Sequence, residues 1–453
     1  MEAIGQAPRA NVYRSSPVGT PALARLARGL AAMLPAIVIS WSALIDPLIN
    51  FDLAAGMTFG GVELESESKT RTITQLVMPL FFALAALCAL VARPVVPRAL
   101  VRVALPAVVL LLLGCVSALW SRSASQTLTL SLYQSILVGS VLLSVAVAAD
   151  SKRVLRFVLL AFAASVAANL ATVILRPPGE IGHLGIYSYK NTLGSAGACA
   201  FLFGLFHLTD RHPLWRLLAW FTTAGAVVIT LASDSKTALA LMVVAPFFAV
   251  VFHVFSSTLG LKPLLAALLF TVLGTGVVLL LAGVLSAGTD DFLLATYGDT
   301  TFTGRTEIWD FMMPFIQERP WFGNGYRGFW SLGEASPRYS SEIEFIRTIG
   351  SGHSGYFDIT LSLGLVGLAL MVLFVGFAFS TAGRLDMRAT ARTLLYVSVI
   401  MFVIGRNAME SVILWSTFFD NLSFLLVAFL SCYREVPRRR ARLARSWSGS
   451  RSA

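Results

Sequence analysis

Charge is scarce in this sequence. Only 13% of its 453 residues are Asp, Glu, Lys or Arg, about half the roughly 25% usual in a soluble domain. With 56% hydrophobic residues, that deficit excludes an ordinary soluble globular protein. Cysteine is sparse as well. Cys88, Cys115, Cys199 and Cys432 each fall in or at the end of an apolar segment, with no C-x-x-C spacing. They read as buried thiols and imply neither a disulfide framework nor a zinc site. No G-x-x-x-x-G-K-[ST] loop is present, nor any polar stretch large enough for a nucleotide fold. The longest polar stretch, 288–353, holds no Asp-x-Asp pair of the kind that carries a metal with a nucleotide sugar. The N-terminus shows no secretory signal pattern, since about 28 polar residues precede an apolar segment too long for an h-region. Histidines number five, so the position of each is informative.

What is abundant is apolar sequence. A helix crossing a bilayer needs about 20 apolar residues, and twelve segments qualify: 29–49, 73–92, 99–119, 129–149, 154–175, 191–209, 214–233, 236–256, 263–287, 354–380, 392–409 and 411–433. The expected fold is all-α and polytopic, with about twelve transmembrane helices. The pair 214–233 and 236–256, separated by a tight Ser-Asp-Ser turn, reads as a helical hairpin. The net charge of +11 does not point to nucleic acid, because the basic residues flank apolar segments. With the N-terminus inside, 23 of the 35 Lys and Arg residues fall on the cytoplasmic side, which favours both termini inside. The expected organisation is a cytoplasmic tail 1–28, helices 1–9 over 29–287, an outward (periplasmic) loop 288–353, helices 10–12 over 354–433 and a basic cytoplasmic tail 434–453.

A loop of that size in a tightly connected membrane protein is usually functional. It contains GRTEIWDFMMPFIQERP, 304–320. Thr303 is the expected N-cap and Glu307 falls in the first turn. Ile308, Met312, Phe315 and Ile316 share a face at helical spacing, which predicts a short amphipathic helix on the membrane surface. Pro320 and GNGY (323–326) then form a turn.

Charge at the rim of apolar segments needs a reason. On the outward side stand Lys190, Lys236, Arg305 and Arg406, with Glu410 one helical turn beyond Arg406, and His353 at the mouth of the tenth segment. Each has a structural alternative. The lysines can snorkel, Arg406 and Glu410 can pair, Arg305 can be solvated and His353 can cap a helix. His207, His212 and His253 map to the other side, and His183 is a weaker competitor. As a set, fixed cations at one membrane face suit a pyrophosphate headgroup, and a histidine beside them can take a proton from an attacking hydroxyl. Loop aromatics such as Trp309, Trp321, Tyr326 and Trp330 offer faces on which sugars stack. Gly350, Gly352 and Gly355 around the histidine read as hinge or close-approach positions.

Four stretches, YKNTLG (189–194), SDSKTAL (233–239), GRTEIW (304–309) with GNGY, and HSGYFDITLSLGLVGL (353–368), resemble the bacterial O-antigen ligase and polysaccharide polymerase superfamily, especially polymerases of exopolysaccharide clusters. Their order and the large loop also match, over roughly 29–433. The resemblance implies an inverting, metal-independent glycosyltransferase of the bacterial inner membrane that needs no cofactor. Its donor would be a glycan on undecaprenyl pyrophosphate. A chain-length regulator and a flippase of the same pathway are candidate partners. Carried over by motif, Lys236 and Arg305 hold the pyrophosphate, His353 is the base, and Glu410 matches an acidic position. Lys190, Arg406, Trp309 and Tyr326 complete the expected substrate site. Two departures stand out: lysine at 236 where arginine is common, and Ser354 where asparagine usually follows the histidine. Three functions stay open: a polymerase of lipid-linked repeats, a ligase passing finished glycan to a lipid core or protein, and a lipid-oligosaccharide transporter. The last sits less well with polar residues gathered at one surface and with no clear halving of the chain.

Overall fold

The computed structural model describes residues 20–49, 51, 66–148, 150–179, 182–260, 265, 304–333, 336–384, 390–415 and 418–433. The predicted span 263–287 apart from residue 265, the N-cap Thr303, residues 1–19 of the N-terminal tail and the C-terminal tail 434–453 lie outside the described residues. Regular structure is helical among the described residues, apart from one bridge between Gly179 and Gly182. In chain order the helices are α1 (Pro21–Ser40, continued by a π turn Trp41–Ile45 and by Asp46–Ile49), α2 (Ser66–Ala92), α3 (Arg98–Val116), α4 (Ala124–Ala148) and α5 (Ser151–Leu175). There follow α6 (Lys190–His207), α7 (Pro213–Ala232), α8 (Lys236–Leu259), α9 (Arg305–Glu318), α10 (Glu344–Thr348), α11 (Gly355–Ala382), α12 (Thr390–Met409) and α13 (Phe419–Leu430). Among the described residues, eight segments are long and apolar enough to cross a membrane, with shorter apolar helices at Leu76–Ala92 and Phe419–Leu430. The protein is a polytopic α-helical membrane protein.

In lipid every backbone polar group must find a partner inside the protein, and the irregular parts obey this. The π turn in α1 frees the Ala43 carbonyl, which accepts from Ser165 Oγ at 2.9 Å and Tyr187 Oη at 2.7 Å. Residues 411–415, predicted as part of a continuous span, are not helical, and Val412, Ile413, Leu414 and Trp415 are buried. Asn407 Oδ1 accepts from Val412 N and Ile413 N, Asn421 Oδ1 accepts from Leu414 N, and Tyr326 Oη donates to Leu414 O. Side chains thus replace the helix ladder, and α13 begins only at Phe419.

The predicted hairpin is corrected. The Ser-Asp-Ser turn joins α7 and α8, but these helices hardly touch. α7 packs on α6, where Gly197 and Gly204 bring Thr230 and Thr223 so close that an added Cβ would lie 2.1 and 2.5 Å from their hydroxyls. α8 packs on α12, with Leu241 seated against Gly405. Small residues set these contacts, because helices in lipid associate through close packing rather than hydrophobic burial.

The amphipathic helix is also placed differently. The apolar face of α9 covers protein, not membrane: Ile308 and Met312 are buried, Phe315 meets Phe329 edge-on at 4.9 Å, and Trp309 stacks on Phe357 at 5.0 Å. Beyond it, GNGY docks into a break in α11. Gly364 has φ 66° and ψ −165° inside that helix. Asn324 N and Gly325 N donate to Leu361 O and Ser362 O, while Leu365 N and Val366 N donate to Pro320 O and Trp321 O, all at 2.8 to 3.3 Å. The loop backbone supplies the bonds that the broken helix lacks. It also fixes the loop to the helix whose N-terminus follows His353.

At the opposite end of the bundle, Arg156 grips Asp210 through Nε (3.0 Å) and Nη2 (2.7 Å), and Arg392 Nη1 donates to Ser151 Oγ at 2.8 Å. These residues come from segments expected on one common side of the membrane.

Candidate functional site

Four helices begin close together: α6 at Lys190, α8 at Lys236, α9 at Arg305 and α11 at Gly355. Their N-cap residues, Tyr189, Ser235, Gly304 and Ser354, make no side-chain cap bond. Each start carries roughly half a positive charge from the helix dipole. Three of the four also place a cation at the first residue, where the helix dipole disfavours it. Such a gathering of positive ends is favourable only around an anion.

Glu410, just past α12, supplies one. Its Oε2 lies 3.2 Å from His353 Nδ1, and its Oε1 lies 3.4 Å from Arg305 Nη2 and accepts from Asn191 Nδ2 at 3.1 Å. Ser235 Oγ donates to the other end of that amide, Asn191 Oδ1, at 3.1 Å. The Glu410 backbone is used too: its carbonyl accepts from Gly355 N at 3.3 Å. One acidic residue thus ties together the starts of α6, α9 and α11, with α8 one hydrogen bond further. Burial pushes the Glu410 carboxyl up, but the His353 hydrogen bond and the charges of Arg406, His353 and Arg305 outweigh it and hold the group at about 2.

His353 sits with φ 47° in the left-handed region, uncommon for a residue with a side chain, and its imidazole is 35% exposed. Both flanking glycines are close-approach positions: a Cβ on Gly352 would lie 2.6 Å from Met312 Sδ, and one on Gly355 would lie 2.1 Å from Asn407 Oδ1. Gly350 has open space around it. The backbone bend falls on the histidine itself, and none of these glycines has positive φ.

Lys190 Nζ lies 3.9 Å from Asp234 Oδ2 in the turn before α8, and Lys236 is exposed next to Ser235. The other three candidates point elsewhere. Arg406 is buried and does not pair with Glu410 as a side chain; its Nε lies 3.7 Å from Asp420 Oδ2, beneath the site. Tyr326 is fully buried with its hydroxyl on Leu414 O. Trp309 donates from Nε1 to Gly352 O at 3.0 Å while stacking on Phe357, so it braces the histidine turn. Sequence reading passed over Asn191, Asp358 and Asp420. For the two aspartates a signal was present: a charge inside an apolar segment.

Comparison with known sequences finds two similarities. Residues 221–372 match the Wzy_C family, described as O-Antigen ligase, so the resemblance seen in the motifs is borne out over a stretch that includes Lys236, Arg305 and His353. The chain is also similar to the exopolysaccharide production protein ExoQ of Rhizobium meliloti (strain 1021). Identity is 27% over 279 residues, covering 59% of this chain. The match spans 62% of that relative's length.

Proposed function

We propose that this chain is a glycosyltransferase of the bacterial inner membrane that polymerises oligosaccharide repeats carried on undecaprenyl pyrophosphate. The observation that carries this reading is the Glu410 junction, where a histidine, an arginine and the starts of α6, α8, α9 and α11 come together. A neutral His353 that donates from Nδ1 to Glu410 keeps Nε2 as its basic nitrogen. Nε2 takes the proton of the acceptor hydroxyl as that oxygen attacks the anomeric carbon of the donor. The bond from that carbon to the pyrophosphate oxygen breaks, and Arg305 and Lys236, with the helix starts, stabilise the leaving polyprenyl pyrophosphate. Backside attack inverts the anomeric centre. Lys190 serves as an outer cation. Arg406 acts from below by holding Asp420 and adding its charge near Glu410.

In this reading α2, α6, α13 and 263–287 join the eight long apolar segments to make twelve crossings. The site faces the periplasm, and both termini are cytoplasmic. A ligase would use the same residues with another acceptor. Similarity to an exopolysaccharide production protein favours polymerisation. Lipid-linked intermediates extracted from a deletion strain decide the matter. Accumulated single repeats support a polymerase, whereas accumulated lipid-linked polymer supports a ligase. A transporter is told apart by His353→Ala, which would leave transport intact.

A further inference from the structure

Asp358 lies in the first turn of α11, fully buried, and has no place in the chemistry above. Its carboxylate accepts Gly352 N on both oxygens (3.0 and 2.9 Å), Trp330 Nε1 on Oδ1 (2.8 Å) and Ser411 Oγ on Oδ2. Every partner is a donor, so the group binds as an acceptor-only carboxylate. Gly352 directly precedes His353, and Ser411 directly follows Glu410. Gly352 is held at its carbonyl as well, in the peptide it forms with His353, by Trp309 Nε1 at 3.0 Å.

We infer that Asp358 is a positioning residue that holds His353 and Glu410 in register from behind, with Trp309 as the opposing clamp on the histidine turn. The inference rests on the proposed role of His353 as base. The left-handed backbone of His353 is a conformation that persists only when its surroundings over-determine it. The Gly352 N–H, shared between both Asp358 oxygens, and the Gly352 carbonyl, held by Trp309, do this. The tie to Ser411 extends the control to the other half of the pair. Trp330 connects the same carboxylate to the large loop, so docking of the loop and alignment of the pair are coupled.

Three variants test this in purified protein reconstituted in nanodiscs, with a polyprenyl-pyrophosphate-linked repeat as substrate. Ser411→Ala cuts only the tie to the Glu410 side. Trp309→Phe keeps the stacked ring and loses the donor. Asp358→Asn keeps the shape and loses the charge. Each is expected to lower kcat about tenfold or more, because sub-ångström misplacement of reacting groups costs rates of this order. KM for the donor should stay within about twofold, since Arg305 and Lys236 are untouched. Ser411→Thr, which keeps the hydroxyl, should restore kcat. A loss of kcat, donor affinity and melting temperature together would mean a purely structural role and overturn the inference. Wild-type kcat in Ser411→Ala and Asp358→Asn beside an inactive His353→Ala also overturns it and leaves the base assignment intact. An active His353→Ala overturns both.

Discussion

His353 Nδ1 lies 3.2 Å from Glu410 Oε2, although 57 residues separate them. The contact joins the end of the large loop to the end of α12, and it gives the imidazole a fixed acceptor on one nitrogen. The pair resembles in logic other histidine–carboxylate pairs, where the acid selects the tautomer and steadies the ring.

Glu410→Gln should therefore leave the protein folded and lower turnover roughly 10²-fold, within the range attributable to general-base catalysis. The amide can orient only one oxygen, so it cannot serve His353, Arg305 and Asn191 at once. Turnover of a lipid-linked repeat by purified protein is the check. Near-wild-type rates in Glu410→Gln would remove the pair from the chemistry.

The same residue gives stability a pH dependence. Glu410 is held at about 2 against an ordinary value of 4.5. A depressed folded value means that its stabilisation is fully present above about pH 4.5 and is lost as pH falls toward 2. The shift corresponds to about 3 kcal/mol as an order of magnitude. Melting temperatures in detergent from pH 6 down to pH 3 should fall more steeply for wild type than for Glu410→Gln. Parallel curves would contradict the assignment.

Lys236 is a point charge where a fork would grip a phosphate at two points. Lys236→Ala should raise KM for the lipid-pyrophosphate donor about tenfold, equivalent to one lost charge-assisted contact. Lys236→Arg should keep the wild-type value or lower it. Initial rates across a donor titration measure this. An unchanged KM in Lys236→Ala would place the headgroup elsewhere.

Gly364 and Gly323 meet where the GNGY loop enters α11. A Cβ on Gly364 would lie 2.2 Å from Trp321 C, and one on Gly323 would lie 2.5 Å from Ser362 C; both residues also have positive φ. Alanine at either position adds backbone strain of about 1–3 kcal/mol to a clash between two main chains that cannot yield. Folded protein in the membrane should drop sharply for both variants. Gly350→Ala, with open space at its Cβ, should express at the wild-type level. Size-exclusion profiles in detergent make the comparison.

Much of this was legible in the sequence for a simple reason. Apolar length reveals spans; His353, Lys236 and Lys190 sit at span edges, where charge is conspicuous, and Arg305 heads the loop helix. Glu410 was visible on the same ground. Other features were hidden because they depend on partners remote in sequence. Nothing local says that α8 leaves α7 for α12; the fit of Leu241 against Gly405 decides it. The period of α9 was read correctly, but period cannot say whether an apolar face meets lipid or the ring of Phe329. Spacing offered Arg406 only Glu410, one helical turn on, and its approach to Asp420 at 3.7 Å depends on where α13 packs. The break at Gly364 was masked by an unbroken apolar run.

The most direct measurement supplies purified protein in nanodiscs with a single lipid-linked repeat and resolves the products by size. Wild type should yield a ladder of lengthening glycans with release of polyprenyl pyrophosphate. His353→Ala should bind the donor with wild-type affinity and yield no ladder. A ladder from His353→Ala of the same length and rate as wild type would contradict the assignment of the base.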